Sequence, residues 1–216
     1  MSRLILVRHG ESNVTVRRVI GGLRTCTGLS DLGREQATRL RDRWMAHPEF
    51  EPDLVVASTY PRAIETAEIV ADAFAGVAVE QRAAFGEHDP GPECDGLSYD
   101  EFVARHGSFG WQQDDPFATT FPGGETIAAF HYRIGRAVRD LLDEHPERRV
   151  VVVCHGGVID AVLRQVLRAP GTGSFQVYTR NTSITEIERL PVGMWRLLRY
   201  NDAAHLAGLP SATPAP

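Results

Sequence analysis

Two arginines and two histidines stand at or just after the ends of apolar runs in this chain: Arg8, His9, Arg62 and His155. A guanidinium presents paired N–H donors that match two oxygens of a phosphate, and an imidazole can add a further donor. Gly156 follows His155 and would open a helix, whose first backbone N–H groups favour an anion. If the fold brings these residues together, they form a local site for a phosphate.

The apolar runs themselves are predicted to be buried strands that hold these side chains in place. They cover residues 4–7, 53–58 and 150–154. Ligands of open α/β sheets bind beyond the carboxyl ends of the parallel strands. Because all three runs end near a cationic or imidazole side chain, neighbouring strands would place the four side chains at one edge of the sheet.

Helical spacing of apolar residues separates these strands. Ser30 and the Ser98–Glu101 pair have the spacing of helix N-caps. The predicted helices start after Ser30 and at Pro61, and further helices cover 99–106, 125–144 and 157–168. Residues 182–190 and 194–201 flank a Pro-Val-Gly turn and predict an antiparallel hairpin. The pattern predicts an α/β fold, a three-layer α/β/α sandwich around a mostly parallel, mixed sheet.

The chain is expected to form one domain over residues 1–207. Residues 86–124, apart from the short helix predicted at 99–106, are interpreted as an irregular excursion on the substrate side of that domain. Residues 208–216, rich in Pro, Ala and small polar residues, are predicted to be a poorly ordered tail.

Composition excludes several classes of partner. A formal net charge of -5 gives no basic face for nucleic acid, and no apolar run reaches the roughly 20 residues that span a bilayer. Cys26, Cys94 and Cys154 are odd in number and widely separated, so neither a disulfide framework nor a metal site is expected. A reducing cytoplasm is the expected location. The sequence carries no signal for oligomeric state, and a homodimer remains a hypothesis.

Three motifs give this chain a family resemblance: LVRHGES, STYPRAIETA and VVVVCHGG, in that order. Together they resemble the histidine phosphatase superfamily, also called the phosphoglycerate mutase-like proteins. TGLSDLGREQA, PGGET and NTSI also resemble stretches of that family, and the similarity extends over residues 3 to about 205. A single Arg-His-Gly would be weak evidence, but the set is specific.

The resemblance implies a covalent mechanism without metal or cofactor. His9 would attack phosphorus and become a phosphohistidine, while Arg8, Arg62 and His155 hold the non-bridging oxygens. Further phosphate contacts are expected from Gly156, Asn13 and, as a weaker candidate, Ser12, the latter two in the loop after His9.

The general acid is expected in the segment FGEHDPGPECDG. The family pattern matches Glu87, but the spacing from Glu87 to Gly96 is about one residue longer than usual, so Asp89 stays an alternative. Two roles stay open for Glu125 of PGGET. It could be a negative charge at a helix N-terminus, or a residue that supports the histidines. Thr15 and Cys26 replace residues common in the family at the pocket mouth, so substrate identity stays open.

The sequence therefore favours a phosphatase that hydrolyses a small-molecule phosphomonoester. One alternative is a phosphoglycerate mutase, although the acid segment does not match the Glu-Arg-x-Tyr-Gly pattern of true mutases. The other is a non-catalytic module that binds a phosphorylated ligand. It is disfavoured because a nucleophile and an acid are both present.

Overall fold

One mixed β-sheet runs through the centre of the protein. A computed structural model describes residues 1–107, 115–173 and 175–210. Over these residues the strands are β1 (Ser2–Arg8), β2 (Leu54–Ala57), β3 (Val79–Gln81), β4 (Arg149–Cys154), β5 (Ile184–Arg189) and β6 (Trp195–Asp202). Their order in the described sheet is β3-β2-β4-β1-β5-β6, and the first four are mutually parallel. β5 and β6 form an antiparallel hairpin that pairs with β1, as predicted.

Helices cover both faces of this sheet. They are α1 (Asn13–Val16), α2 (Asp31–Ala46), α3 (Pro61–Ala71), α4 (Gly91–Cys94), α5 (Tyr99–His106), α6 (Ile127–Glu144) and α7 (Gly156–Leu167). Short 3-10 turns lie at Ala83–Phe85 and Ala204–Leu206. α2 and α3 pack on one face, and α6 and α7 on the other. The predicted three-layer α/β/α sandwich is therefore confirmed.

Alternating residues of the central strands pack into two hydrophobic cores, one on each face of the sheet. Leu4 and Leu6 of β1 face α6 and α7, whereas Ile5 and Val7 face α2 and α3. All four side chains are fully buried, because a parallel sheet covered on both sides leaves no wet face. Cys154 ends β4 inside the first of these cores, where burial raises the pKa of its thiol. It is a small apolar core residue, as expected.

Side-chain caps start the helices where the sequence places them. The Gly33 N–H donates to Ser30 Oγ across 3.1 Å at the start of α2. Ser98 and Glu101 form a complete capping box at the start of α5. Thr126 caps α6, which therefore begins at Ile127, two residues later than predicted.

Two sequence expectations concern irregular segments. The segment 86–124 contains two short helices in its described part, α4 and α5, of which α4 was not predicted. Residues 108–114 of that segment lie outside the described residues, as do 211–216 of the predicted tail. The three-residue strand β3 was also missed, since it lies at the sheet edge and only partly buries its side chains.

None of the described helices is long and apolar enough to span a membrane.

Candidate active site

The four side chains singled out at the strand ends converge in the folded protein. Arg8 and Cys154, which precedes His155, are register partners at the ends of β1 and β4. The Arg62 side chain, in the first turn of α3, donates its Nε–H to His9 Nε2 across 3.1 Å. The rings of His9 and His155 meet edge-on, with centroids 5.0 Å apart. The predicted convergence is therefore present.

Two contacts define the protonation state of His9. Its Nδ1 lies 2.6 Å from the carbonyl oxygen of Gly10, which can only accept, so Nδ1 carries the proton. Nε2 accepts from Arg62, so it bears a lone pair. Burial first, and then the charges of Arg62 and Arg8, lower the pKa of His9 well below its ordinary value. His9 is a neutral imidazole with its Nε2 lone pair directed at the arginine.

The backbone around His9 is held by residues distant in sequence. The amide of Asn181 donates to the His9 carbonyl across 2.9 Å, and the Gly10 N–H donates to Thr66 Oγ1 across 3.1 Å. The Thr182 N–H donates to the Arg8 carbonyl across 2.8 Å. Asn181 and Thr66 belong to the NTSI and STYPRAIETA motifs, but sequence reasoning gave neither residue a role. These contacts orient the imidazole rigidly.

Ser58 sets the orientation of His155. Its Oγ lies 2.8 Å from His155 Nε2 and accepts from the Tyr60 N–H across 3.3 Å. Ser58 is fully buried, and of the two groups that contact its Oγ the Tyr60 N–H can only donate, whereas His155 Nε2 can accept the hydroxyl proton. The hydroxyl therefore donates to Nε2, which leaves the ring proton on Nδ1. Burial and Arg62 lower the pKa of His155, so this imidazole is neutral too.

Two buried donors of this cluster have no hydrogen-bond partner among the described residues: Arg8 Nε and His155 Nδ1. Arg8 Nη1 donates to the Thr179 carbonyl, which fixes the guanidinium. A buried N–H without a partner costs about 1–3 kcal/mol. Both donors flank the N-terminus of α7, where Gly156 brings the backbone close to Arg8. An anion bound here would satisfy both donors.

Of the two candidate acids, Glu87 is the one directed at this cluster. Glu87 Oε2 accepts from the Gly157 N–H across 3.1 Å, at the start of the helix that follows His155. The charge of Glu87 also acts on Arg8. Burial lowers the pKa of the Arg8 guanidinium, and Glu87 partly offsets this by raising it. Asp89 is exposed, and its Oδ1 accepts from the Gly91 N–H across 2.9 Å. The geometry favours Glu87.

The weaker sequence candidates bind other groups. The Asn13 amide donates to Thr27 across 3.3 Å, and Ser12 Oγ pairs with Thr15 Oγ1 across 2.9 Å. Glu125 forms a 2.7 Å ion pair with Arg133. In this structure Glu125, directly before the Thr126 cap of α6, is thus a partner of an arginine on that helix. Arg133 itself gave no signal in the sequence.

The described residues contain no cluster of three or more His, Cys, Asp or Glu side chains arranged to hold a metal ion. A phosphate-sized anion is the ligand that the arginines, the imidazoles and the helix N-terminus favour. Fold and site thus define an α/β/α protein with a cluster of two arginines and two histidines at the carboxyl ends of its parallel strands.

This chain belongs to the histidine phosphatase superfamily. The family model for branch 1 of that superfamily matches residues 4–203. The chain is 29% identical over 210 residues to phosphoglycerate mutase-like protein 4 of Arabidopsis thaliana, covering 95% of this chain and 87% of that protein. It is 27% identical to phosphatase PhoE of Bacillus subtilis, described as uncharacterized, over 96% of this chain and 98% of the relative.

A solved structure extends the comparison to the fold. The mycobacterial glucosyl-3-phosphoglycerate phosphatase, solved with VO3, superposes with a TM-score of 0.76. It is 27% identical, and the match covers 92% of this chain and 98% of that one. The phosphoglycerate mutase-like fold predicted from the motifs is confirmed.

Proposed function

We propose that this protein is a phosphatase that hydrolyses a small-molecule phosphomonoester through a phosphohistidine at His9. One observation carries the proposal: His9 bonds the Gly10 carbonyl through Nδ1 and accepts from Arg62 at Nε2, beside the His155 ring and within the field of Arg8. A protonated imidazole could not attack phosphorus. Burial and the two arginines keep it neutral, while the arginines also attract the phosphate.

The first step forms a covalent bond. His9 Nε2 attacks phosphorus, and the bond from phosphorus to the departing alcohol breaks. Arg8, Arg62 and the Nδ1–H of His155 bind the non-bridging oxygens, where negative charge must be stabilised. As the nitrogen–phosphorus bond forms, the imidazole becomes positive, and the Gly10 carbonyl bonded to Nδ1 stabilises that charge. The Glu87 carboxylic acid gives its proton to the alkoxide oxygen.

The second step returns the enzyme to its starting state. Glu87, now a carboxylate, takes a proton from water as that water attacks the phosphohistidine. The nitrogen–phosphorus bond breaks, inorganic phosphate leaves and His9 regains its lone pair. Glu87 serves both steps because its carboxylate lies beside the α7 N-terminus that follows His155.

Relatives support a phosphatase. PhoE and the mycobacterial enzyme are both described as phosphatases, the latter acting on glucosyl-3-phosphoglycerate. The Arabidopsis relative is described only as phosphoglycerate mutase-like. Hydrolysis and mutase activity share the first step and differ in whether water or a second hydroxyl receives the phosphoryl group.

The test is a screen for phosphate release from sugar phosphates, phosphoglycerates, nucleotides and phosphopeptides. We expect release from at least one small phosphomonoester by the wild type, also in the presence of a chelator, and none by His9→Ala. His47→Ala, at the exposed end of α2, is the matched control. Turnover by His9→Ala at the wild-type rate would contradict the covalent scheme. Efficient isomerisation of 3-phosphoglycerate in the presence of the bisphosphate would identify a mutase instead.

A further inference from the structure

A single guanidinium on α6 holds the segment that carries the proposed acid. Arg133 Nη1 donates to the carbonyls of Ala84 and Gly86, at 2.9 and 3.0 Å. Its Nη2 donates to the carbonyl of Glu87 at 3.2 Å. The remaining contacts go to the carboxylate of Glu125, at 2.9 Å from Nε and 2.7 Å from Nη2. Five contacts thus match the five N–H donors of an arginine.

The partners of Arg133 are themselves fixed. Glu125 binds it in the two-pronged geometry that a carboxylate and a guanidinium prefer. The Glu125 backbone carbonyl accepts from His88 Nε2 across 2.6 Å, so the residues before α6 and after Glu87 are also joined. The guanidinium lies over the Phe130 ring, 5.2 Å from its centroid. These contacts leave Arg133 little freedom to move.

This arrangement secures Glu87 at both ends of the residue. Arg133 holds its backbone carbonyl and those of two preceding residues, while the Gly157 N–H holds its carboxylate. A short coil segment with only one of these anchors could swing its carboxylate away from the phosphate. Proton transfer to a leaving oxygen needs the acid within hydrogen-bond distance, so a small displacement lowers the rate.

We infer that Arg133 is the positioning residue that keeps the Glu87 carboxylate in place for proton transfer, with Glu125 holding Arg133. The inference rests on the proposed function, in which Glu87 is the general acid. Arg133 acts through the backbone of the acid segment and touches no reacting atom. Its loss should therefore affect only the step that needs the acid.

The test is the dependence of kcat/KM on the leaving group in Arg133→Gln and Arg133→Lys. An aryl phosphate with an acidic phenol needs no proton to depart, whereas an alkyl phosphate does. We expect a loss on the order of 10-fold or more for alkyl phosphates and little loss for the aryl ester. Glu87→Gln should show the same selective loss. In the Glu87→Gln,Arg133→Gln double variant, the difference between alkyl and aryl phosphates should be no larger than in Glu87→Gln alone.

Arg82→Gln is the matched control. Arg82 lies on the same segment and also pairs with α6, through a 2.7 Å contact with Glu144. Its other ion pair is with Glu80, at 2.6 Å. The control therefore removes a comparable arginine–glutamate link between the same two elements, without touching a carbonyl of 84–87. Its leaving-group dependence should equal that of the wild type.

Each outcome separates the inference from the proposed function. If Glu87→Gln becomes selective and both Arg133 variants, shown folded by circular dichroism, do not, the positioning role is wrong while the acid assignment stands. A uniform loss on both esters by both variants also contradicts it. Arg133→Lys, which keeps the charge but supplies only three donors, should lie between wild type and Arg133→Gln. Unchanged turnover by His9→Ala would instead overturn the proposed function itself.

Discussion

Arg62 and His9 share one hydrogen bond, in which the guanidinium Nε–H donates to the imidazole Nε2 across 3.1 Å. The same arginine donates from Nη1 to the Gly21 carbonyl across 3.1 Å and lies over the Tyr60 ring, 4.5 Å from its centroid. It therefore holds His9 Nε2 and the loop after it in one geometry. It also places a positive charge where a phosphate oxygen would bind.

Replacing Arg62 by Lys should reduce kcat/KM by about 10²–10³-fold, the usual cost of removing one donor to developing negative charge. A lysine cannot contact His9 and Gly21 together, nor match two phosphate oxygens. In Arg62→Met the pKa of His9 should rise, because the arginine is one of the causes that lower it. NMR titration of the His9 ring measures this shift, and an unmoved pKa would contradict the assigned electrostatics.

Glycine at position 157 leaves room for the Glu87 carboxylate. A Cβ there would overlap Glu87 Oε1, the mobile end of a side chain, so Gly157→Ala should fold normally but displace the acid. We expect a selective loss on alkyl phosphates of about 10-fold or more, with little loss on an aryl phosphate. In Gly135→Ala, on α6, the new Cβ would likewise overlap a mobile side-chain end, Gln165 Oε1, but away from Glu87, so this variant is the control. Equal behaviour of the two variants would refute the assignment.

Ser58→Ala tests the proton on His155. Without the hydroxyl that donates to Nε2, the ring loses the contact that keeps its proton on Nδ1. We predict a greater share of the Nε2–H tautomer, read from imidazole ¹⁵N shifts, together with a roughly 10-fold lower kcat/KM. A variant that keeps the Nδ1–H tautomer and still loses activity would show that Ser58 acts by another route.

Buried histidines should make the protein less stable in acid. Burial, followed by the charge of Arg43, lowers the pKa of His205 from its ordinary 6.5 to about 4. The unfolded chain then binds more protons than the folded one across that interval. Stability is therefore full above pH 6.5 and falls as the pH drops towards 4. His9 and His155 act in the same direction.

Urea unfolding across this pH interval measures the effect. His205→Asn should flatten the curve by up to about 1.4 kcal/mol per pH unit, the value for one proton. A His205→Asn curve parallel to that of the wild type would disprove the contribution of this residue.

Much of the site was predictable because its chemistry lies at the ends of apolar strands. Arg8, His9 and His155 are adjacent to apolar segments whose pattern predicts strands buried on both faces. The order of these strands in the sheet then brings the three residues together. Arg62 follows from its place in the first turn of α3. The three parallel strands and the hairpin were predictable for the same reason, since their apolar patterns are long and regular.

Residues that hold the site through the backbone could not be found in this way. Asn181 and Arg133 bind carbonyl groups, which every residue possesses, so no residue type in the acceptor segment marks the contact. The choice between Glu87 and Asp89 was open because segment spacing was ambiguous. It depends on the direction of a side chain towards Gly157, which only the folded structure contains.

The central claim is that His9 carries the phosphoryl group, and trapping that intermediate tests it most directly. Glu87→Gln should still be phosphorylated by an aryl phosphate, which needs no acid, but should hydrolyse the phosphohistidine slowly for lack of a base. After rapid mixing and an alkaline quench, peptide mapping by mass spectrometry should find phosphate on His9, and none in the His9→Ala,Glu87→Gln double variant. Phosphate on another residue, or turnover of the aryl ester with no phosphorylated protein at any time, would contradict the account.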